Sequence, residues 1–131
     1  MADKSIGVGL MGLGVIGGQV ARVLLDKAGI LAEQAGCPVV LRKVKVLESD
    51  LSRPRAQEMP PRLFTTDDDE FFATPGMDIV VEAIGGEEPA WQYLERALGA
   101  GKHVVTANKE VIAKYGMELM VLAQRQKVSL N

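Results

Sequence analysis

The sequence predicts an α/β fold with a mostly parallel sheet and helices on both faces. Short runs rich in β-branched residues alternate with longer stretches whose apolar residues recur at helical spacing, as in repeated strand–helix–strand units. The chain has 131 residues, of which 47% are hydrophobic and 24% charged, and its mean hydropathy is +0.10. This length and balance are typical of one globular domain that buries its own core.

The charge and cysteine content disfavour several function classes. The 15 basic and 17 acidic residues give a net charge of −2, which produces too weak a field to attract nucleic acid or anionic lipid. The single cysteine, Cys37, cannot form an internal disulfide, and with only one histidine the chain offers little for zinc. We therefore expect a cytoplasmic protein without a nucleic-acid partner or a metal site.

Residues 5–21 carry no charge and resemble the apolar part of a signal peptide. However, six of the chain's 14 glycines lie in this stretch, and no cleavage-site pattern follows it. About 18 or more truly apolar residues are needed to cross a bilayer. We therefore expect neither an export signal nor a membrane-spanning segment.

In the first half of the chain, the pattern predicts a buried strand over residues 5–11 and then a glycine-rich turn. The following helix has one apolar face, which contains Ile16, Val20, Val23, Leu24 and Leu31. A second strand is predicted over residues 39–48. Three prolines mark residues 49–62 as a surface loop, and residues 63–65 form a short third strand.

Thr66 is predicted to cap the next helix, because four acidic residues follow it at the positive end of the helix dipole. A metal site in this acidic run is the less favoured alternative. A fourth strand is predicted over residues 78–84, and Pro89 suits the first turn of the helix that follows.

The last predicted elements are a fifth strand over residues 103–106 and a helix over residues 108–126. The inward-facing residues of this helix are predicted to be Ile112, Tyr115, Leu119 and Leu122. Residues 128–131 begin a sixth strand. Because a doubly wound dinucleotide fold needs about six strands and this one has no continuation, we expect a domain of a longer protein.

The strongest local motif is Gly-Leu-Gly-Val-Ile-Gly over residues 12–17, because it lies between a predicted strand and a predicted helix. Gly12 permits a tight turn, Gly14 lets the backbone approach a diphosphate, and Gly17 lets the helix pack close to the strand. Unpaired N–H groups at the helix start then bind the phosphate charge. The motif predicts dinucleotide binding by a Rossmann-type doubly wound fold; the alternative is a turn that only packs.

The residues after the second strand bear on the choice of coenzyme. In dinucleotide folds, an acid there binds the 2′-hydroxyl of NAD, whereas basic residues favour the 2′-phosphate of NADP. Glu48 and Asp50 favour NAD, while Ser49, Arg53 and Arg55 offer hydrogen bonds and positive charge to a phosphate. All five also fit a solvated loop, so the coenzyme remains NAD(P).

Two further segments, residues 80–86 and 104–109, leave the carboxyl ends of predicted strands, where ligands bind in open α/β sheets. Gly85 and Gly86 let the backbone approach the nicotinamide half, or they serve only to turn the chain. Asn108 suits a helix cap. Lys109 is a cation at the positive end of a helix, which indicates a functional role unless its side chain simply extends into solvent.

Two other polar residues near these strands are weaker candidates. Glu82, near the end of a buried strand, is expected to orient neighbouring backbone rather than perform acid–base chemistry. His103 begins a strand at the opposite edge of the sheet from the ligands, and is disfavoured as a proton donor.

Three motifs together resemble the amino-terminal domain of homoserine dehydrogenases. They are the glycine-rich start, the stretch Ile84-Gly85-Gly86 followed by Pro89, and residues 100–109, which read AGKHVVTANK. The first motif is shared by many dinucleotide enzymes, whereas the other two at this separation are much more specific. The resemblance covers almost the whole chain.

This resemblance implies that residues 1–131 form a dinucleotide-binding Rossmann domain and that a substrate and dimerisation domain lies outside this sequence. It implies an oxidoreductase of threonine and methionine biosynthesis that interconverts L-homoserine and L-aspartate 4-semialdehyde with NAD(P), as a homodimer when full length. The segment alone is then not expected to be catalytically competent. Two alternatives remain: an NAD(H)-sensing module without chemistry, and another amino-acid or sugar-phosphate dehydrogenase.

The resemblance also implies roles for individual residues. Lys109 matches the family's active-site lysine of this domain. Many members have an arginine where this chain has Ser49, which weakens the expectation of a preference for NADP. The substrate-binding acids and the second catalytic lysine lie beyond position 131. The residues implied to line the dinucleotide, its ribose and its nicotinamide are Gly12, Leu13, Gly14, Val15, Ile16, Gly85, Thr106, Ala107 and Asn108.

Overall fold

A computed structural model describes residues 4–131 and contains one five-stranded parallel sheet. The strand order is β3-β2-β1-β4-β5, and all four strand pairings are parallel. The strands are β1 (Ile6–Met11), β2 (Val39–Lys45), β3 (Phe64–Thr65), β4 (Ile79–Glu82) and β5 (His103–Thr106). The predicted α/β class and parallel sheet are confirmed.

Six α-helices lie within residues 4–131, five of them between these strands and the sixth after β5. They are α1 (Val15–Asp26), α2 (Ala28–Ala35), α3 (Pro54–Gln57), α4 (Asp68–Phe72), α5 (Ala90–Gly99) and α6 (Lys109–Gln126). Two short 3₁₀ turns, Glu48–Ser52 and Pro61–Leu63, lie between β2 and β3.

The helices cover both faces of the sheet, and a separate hydrophobic core lies on each face. Leu10 of β1 belongs to the core beneath α1 and α3, which also contains Ala21 and Ala56. The adjacent Met11 belongs to the opposite core, beneath α4, α5 and α6. Neighbouring residues of a strand point to opposite faces, so β1 is buried on both sides and the fold is doubly wound.

Two glycines in β1 bring the second core close to the sheet. A Cβ at Gly9 would lie 2.1 Å from the Met77 sulfur and 2.7 Å from the Phe71 ring, and one at Gly7 would lie 1.6 Å from the Gly76 carbonyl oxygen. Core side chains therefore contact the β1 backbone at Gly9, and the Gly76 backbone contacts it at Gly7. This contact sets how closely α4, which carries Phe71, packs on the sheet.

Several predicted boundaries differ from the structure in the first half of the chain. The single helix predicted after β1 is two helices, because α1 ends at Asp26 and α2 begins at Ala28. The predicted loop over residues 49–62 contains α3 and the two 3₁₀ turns. Pro54 and Pro61 occupy first-turn positions of such segments, where a missing N–H costs nothing.

The predicted cap at Thr66 is wrong. Asp67 caps α4 instead, because its carboxylate accepts hydrogen bonds from the N–H groups of Asp69 and Glu70. A carboxylate at this position also interacts favourably with the helix dipole.

The carboxyl-terminal elements agree better with the prediction. β5 has the predicted bounds, and α6 begins one residue after its cap, Asn108. The expectation that Ile112 faces inward is wrong: it is 41% exposed, and Val111 is buried in its place. Leu130 forms a parallel bridge with Val104 of β5, at the position of the predicted sixth strand. Among residues 4–131, no helix is long and apolar enough to cross a membrane.

Candidate functional site

The glycine-rich loop, residues 12–17, links β1 to the first turn of α1 and is packed so tightly that only glycine fits at two of its positions. A Cβ at Gly17 would lie 2.1 Å from the Gly12 carbonyl oxygen. Gly12 has a positive φ of 101°, and a Cβ there would lie 2.9 Å from the Ala83 carbonyl oxygen. These contacts fix the loop between the start of α1 and the end of β4.

Gly14 differs from its neighbours because packing does not require a glycine there. A Cβ at Gly14 would meet no protein atom within 4 Å. Gly14 is the N-cap of α1, and the first helical bond runs from the Gly18 N–H to the Gly14 carbonyl (2.8 Å). The N–H groups of residues 15–17 precede this bond, and the first turn of α1 contains no acidic residue. The helix start is therefore suited to an anion.

A cavity of about 250 Å³ opens beside this loop at the carboxyl edge of the sheet. Gly12 and Gly14 form one side of it, and the apolar side chains of Leu47, Ile84 and Pro89 form further walls. The cavity can therefore hold one ligand that places an anionic group at Gly14 and a flat apolar group between these walls. The residues present therefore fit the diphosphate and adenosine of a dinucleotide.

Asp50 is the acidic residue that the structure places at this cavity after β2. Its buried carboxylate accepts from the Leu47 N–H (2.9 Å) and lies 3.2 Å from the Arg53 Nε. Glu48 and Ser49 are exposed and do not line the cavity. The end of β2 therefore presents one carboxylate, with the exposed Arg53 side chain beside it.

Arg55 reaches the glycine-rich loop from α3. Its guanidinium donates to the Leu13 carbonyl (3.2 Å), and its Cδ would lie 3.1 Å from a Cβ at Gly18. Its positive charge is therefore held beside the loop rather than in solvent.

Glu82 joins the ends of β4 and β5. The side chain is buried, and its carboxylate accepts from the N–H groups of Ile84 (2.8 Å) and Gly85 (2.9 Å). Its other oxygen accepts from the Thr106 hydroxyl. As the sequence indicated, Glu82 orients the neighbouring backbone.

Asn108 links the same two loops from the start of α6. Its side-chain oxygen accepts from the Val111 N–H (3.1 Å), while its amide donates to the Gly86 carbonyl (2.6 Å). The predicted cap is confirmed. A second cavity of about 120 Å³ brings together Ile16, Gly85, Ala107 and Asn108, four of the residues predicted to line the dinucleotide.

Lys109 is the first residue of α6 and is exposed. Within residues 4–131 its side chain forms no hydrogen bond or ion pair, and it lies beside Asn108 at the edge of the second cavity without lining it. Its ammonium is therefore free to meet a ligand or solvent. His103 begins β5 at the opposite edge and accepts from the Ser129 N–H (3.0 Å).

A cluster formed by Lys45, Asp68 and Tyr93 was not predicted from the sequence. The Lys45 Nζ lies 3.2 Å from an oxygen of Asp68, and the Tyr93 hydroxyl donates to the same carboxylate (3.1 and 3.0 Å). Burial, followed by the hydrogen bond to Asp68, raises the pKa of Tyr93. The available signal was a lysine between two valines, Val44 and Val46, within the predicted second strand.

Comparison with known proteins agrees with this geometry. A family model described as homoserine dehydrogenase, NAD binding domain, matches residues 12–131. The homoserine dehydrogenase of Bacillus subtilis is 44% identical over 121 residues, which cover 92% of this chain and 28% of that protein. The chain therefore spans just over a quarter of that relative's length.

Two solved structures illustrate the same relationship. A homoserine dehydrogenase from Thiobacillus denitrificans superposes with a TM-score of 0.87 at 40% identity, over 98% of this chain and 29% of that one. A hyperthermophilic archaeal homoserine dehydrogenase in complex with NADPH shares the fold (TM-score 0.74, 22% identity), over 97% of this chain and 43% of that one. From the extent of the family match and the shared fold, we conclude that this chain belongs to the homoserine dehydrogenase NAD-binding domain family.

Proposed function

We propose that this chain binds NAD(P)(H) as the coenzyme domain of a homoserine dehydrogenase, which interconverts L-homoserine and L-aspartate 4-semialdehyde. The observation that carries the proposal is Gly14. Its missing side chain has no packing role among residues 4–131, yet it leaves the start of α1 open to the cavity. A glycine at this position is explained by the close approach of a phosphate group.

In this proposal the glycine-rich loop binds the diphosphate through its backbone. Residues 12–17 surround it, and the ribose of the adenosine half lies at the end of β2, where Asp50 lines the cavity and the exposed Ser49 and Arg53 lie beside it. The nicotinamide half extends toward the second cavity, at Gly85, Thr106, Ala107 and Asn108. Support for this arrangement comes from the two cavities, which share Ala83 and Ile84.

The proposed role of Lys109 is to assist the reacting hydroxyl group. The bound coenzyme would accept or supply the hydride, which leaves the protein to align the substrate and manage the hydroxyl proton. The Lys109 ammonium, at the exposed start of α6, stabilises the developing alkoxide and exchanges the proton. The substrate-binding residues of the complete enzyme, its cytoplasmic location and its homodimeric assembly are further parts of the proposal. No nucleic-acid or membrane partner is proposed.

Substitutions at two glycines of the loop test coenzyme binding. We expect Gly14→Ala to weaken the binding of NADH and NADPH about tenfold or more, because the new methyl group occupies the space of the phosphate. The free energy of unfolding without coenzyme should change by less than about 1 kcal/mol, because this Cβ meets no protein atom. Calorimetric titration and urea unfolding measure the two quantities.

Gly17→Ala is the matched control. Its Cβ would overlap the Gly12 carbonyl oxygen, so both stability and binding should fall, the former by about 1–3 kcal/mol. The proposal fails if the unsubstituted protein shows no binding heat with millimolar coenzyme. It also fails if the Gly14→Ala variant binds the coenzyme as tightly as the unsubstituted protein.

Turnover in the natural full-length protein tests Lys109. We expect Lys109→Ala to lower homoserine-dependent reduction of NAD(P)+ by about 10²- to 10⁴-fold, with little change in coenzyme affinity, because the ammonium acts on the substrate. Lys114→Ala is the control, since Lys114 lies on the same helix and pairs with Glu87. Unchanged turnover in Lys109→Ala would remove this residue from the mechanism.

A further inference from the structure

We propose that Lys45, held in place by Asp68 and Tyr93, donates a hydrogen bond to the adenine ring of the bound coenzyme. The cluster would then select the purine half of the dinucleotide. This inference rests on the proposed function and adds a specificity-determining residue to it.

Lys45 is buried and keeps hydrogen-bonding capacity that its protein partner does not use. Its side chain is only 9% exposed, although a lysine is rarely buried so deeply without strong pairing. An ammonium has three N–H donors, and Asp68 is its single ion-pair partner among residues 4–131. Because Lys45 lines the larger cavity, the remaining donors are available to a ligand there.

Residues from three elements fix the position of the Lys45 ammonium. Lys45 ends β2, Asp68 begins α4, and Tyr93 lies on α5. The Tyr93 hydroxyl donates to both oxygens of Asp68, and the Lys45 Nζ lies 5.7 Å from the centre of the Tyr93 ring. A donor fixed in this way loses little conformational entropy when it binds a ligand.

The cavity around Lys45 also has a shape and chemistry that suit a purine ring. Leu47, Ile84 and Pro89 offer apolar walls that suit the faces of a flat ring. Gly14 lies on the same cavity and binds the diphosphate in the proposed function. The part of a dinucleotide beyond its diphosphate on this side is the adenosine, whose ring nitrogens accept hydrogen bonds as an ammonium requires.

Lys43 supplies a matched control within the same strand. It also contacts α4, with its Nζ 3.9 Å from Glu70, and it donates to the Arg62 carbonyl (3.1 Å). It lies two residues before Lys45 and therefore on the same face of β2, but it does not line the cavity. Removing its charge changes a similar β2–α4 ion pair without touching the proposed purine site.

The test compares Lys45→Met with Lys43→Met by calorimetric titration. The ligands are NADH, adenosine diphosphate ribose and reduced nicotinamide mononucleotide. We expect Lys45→Met to weaken NADH and adenosine diphosphate ribose about 10- to 100-fold and to leave the mononucleotide unchanged. Lys43→Met should change all three affinities by less than about threefold.

The outcomes separate this inference from the proposed function. The role of Lys45 would be overturned if the two substitutions weakened the binding of adenosine diphosphate ribose equally. It would also be overturned if Lys45→Met weakened the binding of the mononucleotide as much as that of adenosine diphosphate ribose. Failure of the unsubstituted protein to bind NADH would overturn the proposed function itself. If urea unfolding shows that Lys45→Met does not fold, Tyr93→Phe replaces it. We then expect the affinity for adenosine diphosphate ribose to fall about three- to tenfold and the affinity for the mononucleotide to stay unchanged. An unchanged affinity for adenosine diphosphate ribose overturns the inference.

Discussion

Glu82 shows how a single buried carboxylate shapes the second cavity of the candidate site. It accepts backbone hydrogen bonds from Ile84 and Gly85 and a side-chain bond from Thr106, so the loops after β4 and β5 depend on one charge. A buried carboxylate costs free energy unless such donors surround it. The two loops supply the donors that stabilise the buried carboxylate, and the carboxylate in turn holds the two loops in place.

Glu82→Gln should lower the free energy of unfolding by about 1–3 kcal/mol, because the amide brings N–H groups toward donors that need an acceptor. The affinity for NADH should fall as well, since Gly85 loses its anchor. Glu87→Gln is the control, because its exposed pair with Lys114 is worth at most about 1 kcal/mol. Urea unfolding of both variants measures the difference, and equal losses would contradict the role given to Glu82.

Among single residues, the sequence was sufficient for the glycine-rich loop but not for the Lys45 cluster. The loop lies within one contiguous stretch, where strand, turn and helix signals reinforce one another. Lys45 meets Asp68 only after the chain crosses from β2 through β3 to α4. Four consecutive acids follow Thr66, and local pattern does not show which of them faces a lysine 23 residues earlier.

At the scale of elements, the start of α6 joins two strands' loops through its cap. Asn108 uses its side-chain oxygen for the Val111 N–H and its amide for the Gly86 carbonyl. An N-cap is a local feature and was predicted from sequence, whereas the bond to Gly86 depends on the neighbouring strand order. The α4 cap likewise involves a neighbouring residue: the Thr65 hydroxyl accepts from the N–H of Asp67, which caps the helix in place of Thr66.

Asn108→Ala should lower the free energy of unfolding by about 1–2 kcal/mol through the lost cap. Asn108→Asp keeps the cap acceptor but loses the donor to Gly86, so its stability should lie between Ala and Asn while its NADH affinity falls as far as that of Asn108→Ala. Urea unfolding and calorimetry on the three proteins give the comparison. Full affinity in Asn108→Asp would show that the Gly86 bond does not position the loop.

At the scale of the molecule, doubly wound topology was predictable because each strand–helix–strand unit leaves its own periodic pattern. The exposed apolar side of α6 was not predictable in this way. α6 buries Val111 and Leu119 against the second core, but its other side exposes Met117 (80%), Met120 (53%) and Val121 (47%). Exposed apolar patches of this kind promote association.

We expect the 131-residue chain to self-associate through this face. Met117→Lys combined with Val121→Lys should shift sedimentation toward the monomer, with the free energy of unfolding changed by no more than about 0.5–1 kcal/mol. Gln124→Lys with Gln126→Lys adds the same charge on the same helix without removing apolar surface, and should change association less. A chain that is monomeric at every concentration before substitution would refute the expectation.

The glycines of β1 have a consequence for mutational scanning. Gly7 and Gly9 lie in β1 and line neither of the two cavities, yet any larger residue would push against Gly76, Met77 or Phe71 and so displace α4 with its Asp68. In a saturation screen that scores growth, these two positions should be as intolerant as Gly12 and Gly17. A map of intolerant glycines would therefore extend beyond the glycine-rich loop, because Gly7 and Gly9 report how closely α4 and the residues after it pack on the sheet.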